Sequence, residues 1–156
     1  MRRLLIAAVF ASLLPASVSA QTKTGQFNVR VQVQTVCSIT TQDLDFGTYT
    51  LSAAATASTP LSLKCTPGAT ATLSLDGGSS GNPQQRYMQG PANLNYQIYR
   101  DGALAEPINT GGAAFQLSPS ENTGQLVTYT LYGQVPAGQS VPAGGYVDTI
   151  IVTVSY

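Results

Sequence analysis

The stretch FNVRVQVQ at residues 27–34 alternates strictly between apolar and polar side chains. Successive side chains of a β-strand point to opposite faces, so this period predicts a strand with one apolar and one polar face. The apolar face consists of Phe27, Val29, Val31 and Val33. Such a strand must pair either inside its own domain or with another molecule, and that choice bears directly on function.

Residues 1–20 have the pattern of a secretion signal. A short basic start (residues 1–3) precedes an apolar stretch (residues 4–14), and Val18-Ser19-Ala20 supplies the small-residue cleavage motif before Gln21. The apolar stretch is too short to span a bilayer. We therefore expect an exported protein whose mature chain of about 136 residues forms one domain with a real core.

The composition excludes several classes of function. The chain contains no His and no Trp, and only 9% of its residues are charged. Beyond residue 20 the basic side chains number five and the acidic ones seven, which gives a net charge near −2. Because no basic stripe is present, neither nucleic acid nor an anionic membrane is an expected partner.

Cys37 and Cys65 are the two cysteines, and both lie beyond the predicted signal. An even pair in an exported protein predicts a disulfide, whereas the spacing does not match a CxxC metal or redox site. Closing a loop of about 28 residues stabilises a fold by roughly 3–4 kcal/mol on the chain-entropy account.

The remaining chain reads as short strands separated by Gly- and Pro-containing turns, which favours an antiparallel β-sandwich over a βαβ fold. Asp101-Gly102 predicts a tight type I′ hairpin, and only residues 51–58 have any helical character. The closing segment has one apolar face formed by Ile150, Val152, Val154 and Tyr156. The predicted strands are residues 44–51, 60–66, 69–75, 94–100, 113–117, 126–135 and 146–156.

The sequence contains few side chains suited to catalysis or metal binding, and we predict no enzyme, no metal site and no cofactor. Without His there is neither an ordinary triad nor an imidazole ligand. Asp43 and Asp45 share one side of a predicted strand, which permits acid–base chemistry, although an exposed strand edge explains them better. Asp76-Gly77-Gly78 and Asn122-Thr123-Gly124 fit turns better than metal ligands. The eight tyrosines either line a sugar-binding surface or lie half-buried in the sandwich.

Several motifs together resemble a known family. They are TGQF at residues 24–27, Cys37, LDFGTY at 44–49 and Cys65, followed by LNYQIYRD at 94–101, YGQVPAGQ at 132–139 and GGYVDTIIVTVSY at 144–156. This set, which covers essentially the whole mature chain, is similar to the spore coat protein U domain family. That family includes the subunits of archaic, Csu-like chaperone–usher pili.

The resemblance implies an incomplete immunoglobulin-like antiparallel β-sandwich (residues 37–156) that follows an N-terminal donor strand (residues 21–36). Phe27, Val29, Val31 and Val33 are then the plug for the groove of a neighbouring subunit. Ile150, Val152, Val154 and Tyr156 line the groove and contact the chaperone. The expected partners are neighbouring subunits arranged head-to-tail, a periplasmic chaperone and an outer-membrane usher.

The product implied by this resemblance is a surface pilus or fimbria, exported through the periplasm, with roles in cell adhesion and biofilm formation. A different class of function remains open from the residues alone. A self-complete secreted β-sandwich, acting as a coat or carbohydrate-binding module, would pair residues 27–34 within its own sheet.

Overall fold

The computed structural model describes residues 19–109 and 114–156. These residues form antiparallel β-structure with one short 3-10 helix at Gly78–Ser80. The predicted secretion signal lies almost entirely outside the described residues. Within the described ranges, no helix is long and apolar enough to cross a membrane. The strands are β1 (Cys37–Thr41), β2 (Ala55–Cys65), β3 (Ala71–Leu75), β4 (Tyr87–Gln89), β5 (Asn93–Asn95), β6 (Gln97–Tyr99), β7 (Phe115–Leu117), β8 (Val127–Val135) and β9 (Val152–Ser155).

Two sheets carry the core. The larger sheet has the order β1-β2-β8-β6, and all its neighbouring strands are antiparallel. The smaller sheet has the order β7-β3-β9 and is also antiparallel. A third antiparallel pair, β4-β5, stands apart from both. The predicted antiparallel β-sandwich is confirmed, and β1 and β9 are edge strands of different sheets.

The core forms because the central strands of both sheets bury every second side chain, so that each sheet has one apolar face. In β2, every second side chain from Thr59 to Cys65 is buried, and Leu131 and Val135 of β8 are buried beside them. The smaller sheet contributes Leu73 and Leu75, which are also fully buried. Each such leucine contributes about 1.5–3 kcal/mol by leaving water, so the facing rows hold the sheets together.

Two predictions along the middle of the chain are wrong. Residues 44–51 do not form a strand, because Leu44 and Phe46 pack into the core while the backbone pairs with no neighbouring strand beyond an isolated Thr50–Ala53 bridge. Residues 51–58 are not helical. Their second half begins β2, where Ala55 lies opposite Val135 of β8.

The hairpin predicted at Asp101-Gly102 is a wider loop. The Asp101 carboxylate accepts hydrogen bonds from the backbone N–H groups of Ala105 and Glu106, which draws further residues into the turn. Leu104 takes the positive φ of 57° that we expected at the Asp-Gly step. Side-chain capping by an aspartate therefore outweighs the local preference for a two-residue turn.

The chain divides into two units, residues 1–32 and residues 33–156. In the described part of the first unit, residues 19–32, there is no regular secondary structure. The alternating stretch is thus not a strand in the single chain. Its apolar side chains are exposed, as Phe27 and Val31 show with exposed fractions of 86% and 89%.

Candidate functional site

An open groove lies between the segment that follows β1 and the segment that leads into β9, and it reaches these two strands at Thr41 and Val152. Each of these strands has one strand neighbour among the described residues, β2 for β1 and β3 for β9. The other edge of each strand therefore presents main-chain N–H and C=O groups that no strand pairs. Such groups are a template for the addition of another strand.

The floor of the groove is the hydrophobic core itself. A cavity of about 570 Å³ lies among Leu61, Ile98 and Leu131 of the larger sheet and Leu75 and Val152 of the smaller one. A second cavity of about 660 Å³ adjoins it and is lined by some of the same residues, including Phe46, Met88 and Tyr146. Together the two cavities form an open surface that is apolar at its floor and carries polar groups as well.

The N-terminal wall of the groove is the segment that follows β1. Leu44 and Phe46 lie over Gly133 of β8, where an added Cβ would lie 2.7 Å from Leu44 Cδ2 and 2.6 Å from Phe46 Cζ. Only glycine leaves room for this approach. Further along, the Tyr49 hydroxyl donates a hydrogen bond of 3.0 Å to the Pro136 carbonyl and accepts one of 2.9 Å from the Gln139 N–H. The wall is held by side chains in place of a sheet ladder.

The C-terminal wall is β9 with the residues that precede it. Ile150, Val152 and Val154 are half-buried and pack against the core, whereas Tyr156 is 60% exposed. In this single chain the predicted apolar face thus consists of three inward residues and one that remains at the surface.

A polar cluster around Asp148 holds the segment that precedes β9. Tyr96 donates a 2.6 Å hydrogen bond to Asp148 Oδ2, and the N–H groups of Ser79 and Thr149 donate to Asp148 Oδ1. Burial alone raises the pKa of Asp148, but the hydrogen bonds from Ser79, Tyr96 and Thr149 outweigh it and hold the pKa below its usual value. Burial and the Asp148 hydrogen bond raise the pKa of Tyr96, which stays protonated as a donor.

Asp76 and Arg86 extend this cluster toward β9. Asp76 Oδ1 accepts hydrogen bonds from the N–H groups of Ile151 and Gly78, at 2.9 and 3.0 Å. Arg86 is fully buried, and its guanidinium donates to the carbonyl oxygens of Asp76 and Ile108. Burial lowers the pKa of Arg86, although the nearby hydroxyl and carboxyl groups oppose this effect. Sequence reasoning assigned Asp76 to a turn and missed Arg86 altogether.

The sequence did contain one signal of this cluster. Gly77 and Gly78 follow Asp76, and an added Cβ on Gly78 would collide with the Asp148 carboxylate. Glycine at position 78 is therefore favoured both by its positive φ of 57° and by the close approach of the Asp148 carboxylate to the backbone. Which carboxylate approaches is decided by the fold.

The predicted disulfide is present. It joins Cys37, the first residue of β1, to Cys65, the last residue of β2, and the two residues are opposite each other in the sheet register. The disulfide thus fastens the N-terminal edge strand to the centre of the larger sheet, immediately after the alternating stretch.

The aspartates considered for acid–base chemistry are not assembled into a catalytic pair. Asp43 and Asp45 are both exposed, and Asp45 Oδ1 accepts a hydrogen bond from the Gly47 N–H as in a local turn. Asn122 likewise hydrogen-bonds to the backbone, at Thr66 and Ala69. Across residues 19–109 and 114–156, no group of three acidic, His or Cys side chains has the arrangement of a metal site.

Comparison with known proteins identifies the family. Residues 23–153 match the Spore Coat Protein U domain. The chain is also 32% identical to Protein U of Myxococcus xanthus, over 94% of this chain and 92% of that protein. The chain belongs to the spore coat protein U domain family.

Two solved structures have the same fold as this spore coat protein U domain. One is a chain from the pre-assembly complex of the chaperone CsuC with the tip adhesion subunit CsuE of archaic chaperone–usher Csu pili from Acinetobacter baumannii, with 25% identity and a TM-score of 0.56. The alignment covers 80% of this chain but only 40% of that one. The other comes from a chaperone–usher pilus studied for rod uncoiling, with 13% identity, a TM-score of 0.55 and coverage of 88% and 99%. The immunoglobulin-like fold implied by the sequence resemblance is confirmed.

Proposed function

We propose that this spore coat protein U domain is a structural subunit of a surface pilus that polymerises by donor-strand complementation. In this proposal, residues 21–36 are the donor segment and residues 37–156 the accepting domain. The row of Phe27, Val29, Val31 and Val33 enters the groove between β1 and β9 of the next copy. The observation that carries the proposal is that one chain combines an exposed apolar row with an open groove that has an apolar floor and lies near two unpaired sheet edges.

The energetics favour such an exchange. Burial of one phenylalanine and three valines stabilises the contact by about 6–10 kcal/mol before the cost of ordering the segment is subtracted. Main-chain hydrogen bonds to the free edges of β1 and β9 add to this, because the groove excludes water. From Phe27 to Val33 an extended strand spans about 20 Å, which is the length of a typical sheet strand.

The same geometry explains the need for assembly partners. An open groove with two unpaired strand edges is prone to aggregate, so a chaperone must cap it before the subunit reaches its neighbour. The similarity to the CsuC–CsuE complex supports a periplasmic chaperone and an outer-membrane usher as partners. The contact between subunits is head-to-tail and does not close, which produces a fibre on the cell surface. Adhesion and biofilm formation are the roles we expect of that fibre.

The test places a charge on either face of the donor segment. We compare Val31→Asp with the matched control Gln32→Asp in the chain expressed together with a periplasmic chaperone. Because Val31 is 89% exposed, its replacement leaves the fold of the domain intact. It places a carboxylate in an apolar groove, however, and we expect polymer yield to fall at least 100-fold.

The polymer is measured as ladders that survive SDS and collapse on boiling. Gln32→Asp, on the polar face, should assemble like the unmodified chain. Normal fibres from Val31→Asp would contradict the donor assignment. A soluble monomer of the unmodified chain, with residues 24–36 protected from protease, would favour the self-complete secreted module instead.

A further inference from the structure

The junction between the donor segment and the domain contains an unusual hydrogen-bond arrangement around Thr66. The register of β1 and β2 pairs Cys37 with Cys65, and one step further it places Val36 opposite Thr66. The Thr66 N–H donates to the Val36 carbonyl at 2.9 Å, as a ladder requires. The return bond, however, runs from the Val36 N–H to the Thr66 hydroxyl, at 3.0 Å. The side chain of Thr66 replaces its own carbonyl in the ladder.

The Thr66 carbonyl is absent from the ladder because two other donors bind it. One is the Ala69 N–H, which donates to it at 3.2 Å across the turn after β2, and the other is a buried side chain. Asn122, which is only 3% exposed, donates from Nδ2 to the carbonyl of Thr66 at 2.7 Å and to that of Ala69 at 2.9 Å. This fixes the turn after β2 and directs the Thr66 hydroxyl toward the chain before β1. The hydroxyl lies 3.3 Å from the Gln34 carbonyl and 3.4 Å from that of Val36, so it has an acceptor on either residue.

This arrangement opposes insertion of the donor segment into the groove of its own molecule. To lie beside the free edge of β1, residues 27–33 would have to reverse direction within Gln34–Val36, since a parallel arrangement needs a connection of a dozen residues or more. A tight reversal requires positive φ angles, which Gly, Asn and Asp adopt most readily. Gln34, Thr35 and Val36 include none of these, and the hydrogen bonds to Thr66 hold this segment in line with β1.

We propose that Thr66, positioned by Asn122, is a clamp that keeps the donor segment out of its own groove and leaves it available to another copy. The clamp rests on the proposed function and explains why the pairing is between molecules. Its role is positioning, because within the donor segment Thr66 hydrogen-bonds only to the backbone of Gln34 and Val36, at the C-terminal end.

The test introduces a turn and then removes the clamp. Gln34→Asn with Thr35→Gly supplies the residues of a type I′ turn. This pair is combined either with Thr66→Val, which keeps the β-branched shape and removes the hydroxyl, or with Thr70→Val, a matched change at an exposed threonine. The measured quantity is the share of monomer with residues 24–33 protected from protease.

The clamp predicts about fivefold more protected monomer with Thr66→Val than with Thr70→Val, since one hydrogen bond is worth about a factor of five in such an equilibrium. In the chain without the turn substitutions, amide exchange at Val36 should be about fivefold faster in Thr66→Val than in Thr70→Val. The clamp would be overturned if Thr66→Val and Thr70→Val gave equal shares of protected monomer, or if they gave equal exchange rates at Val36. The Val31→Asp chain separates the two proposals: if that chain still polymerises, the donor assignment itself fails.

Discussion

The two ends of the described chain carry nearly the same sequence pattern and have different structures. Val31 belongs to an alternating apolar row and is 89% exposed, whereas Val152 and Val154 belong to a similar row and lie half-buried beside β3. The pattern therefore specifies that a segment has one face to bury. It does not specify the partner, which β3 provides for the C-terminal row and which our proposal assigns to another copy for the N-terminal row.

Two expected effects are the largest and of similar size, and the first comes from placing one charge in the C-terminal row. In the Val31→Asp chain, which we expect to be monomeric, Val152→Asp should lower the free energy of unfolding by about 3 kcal/mol, because a carboxylate then faces the core. Thr153→Asp, on the exposed face of the same strand, should cost less than about 1 kcal/mol. Urea denaturation measures both values. Equal costs would show that β9 does not bury its apolar face as described.

The next effect distinguishes the two walls of the groove. Replacing both Cys37 and Cys65 by alanine should lower the free energy of unfolding by about 3–4 kcal/mol, given their sequence separation of 28. The disulfide joins β1 to β2, whereas β9 belongs to the other sheet. Amide exchange should therefore accelerate more in β1 than in β9. An equal acceleration in both strands would mean that the two walls open as one unit.

The smallest effect concerns the polar cluster below β9. Asp148 has a lowered pKa in the fold, so its ionised form adds stability that is present above its unfolded pKa and is lost as the pH falls through the folded value. Tyr96→Phe removes one donor to this carboxylate and should cost about 1 kcal/mol at neutral pH. The cost should shrink at acidic pH, as the pH falls through the lowered pKa that Asp148 has in the fold and the carboxylate becomes protonated.

Tyr99→Phe is the matched control, since Tyr99 lies on β6 and the tyrosine that donates to Asp148 is Tyr96. Urea titrations of both variants at neutral and acidic pH measure the difference. A cost for Tyr96→Phe that is independent of pH would show that packing of the hydroxyl, and not the ionised carboxylate, accounts for the stability.

Particular residues show why part of this fold was predictable. The alternation in β2 and β8 was visible because both strands bury one face over several steps, and the disulfide followed from an even cysteine pair in an exported chain. The segment at residues 44–51 was misread, because Leu44 and Phe46 have strand-like spacing but pack over Gly133 without pairing. Arg86 was missed because a buried guanidinium that binds carbonyl oxygens has no short-range sequence signature.

By itself the sequence determined the class of fold, the disulfide partners and the face of each amphipathic segment, since these depend on period, composition and cysteine count. The tertiary structure alone decided that β1 and β9 are edges of different sheets with an open groove between them. It also decided that Thr66 and Asn122 meet at the root of the donor segment. Such arrangements depend on contacts between residues far apart in the chain, and local patterns do not encode which distant partners will meet.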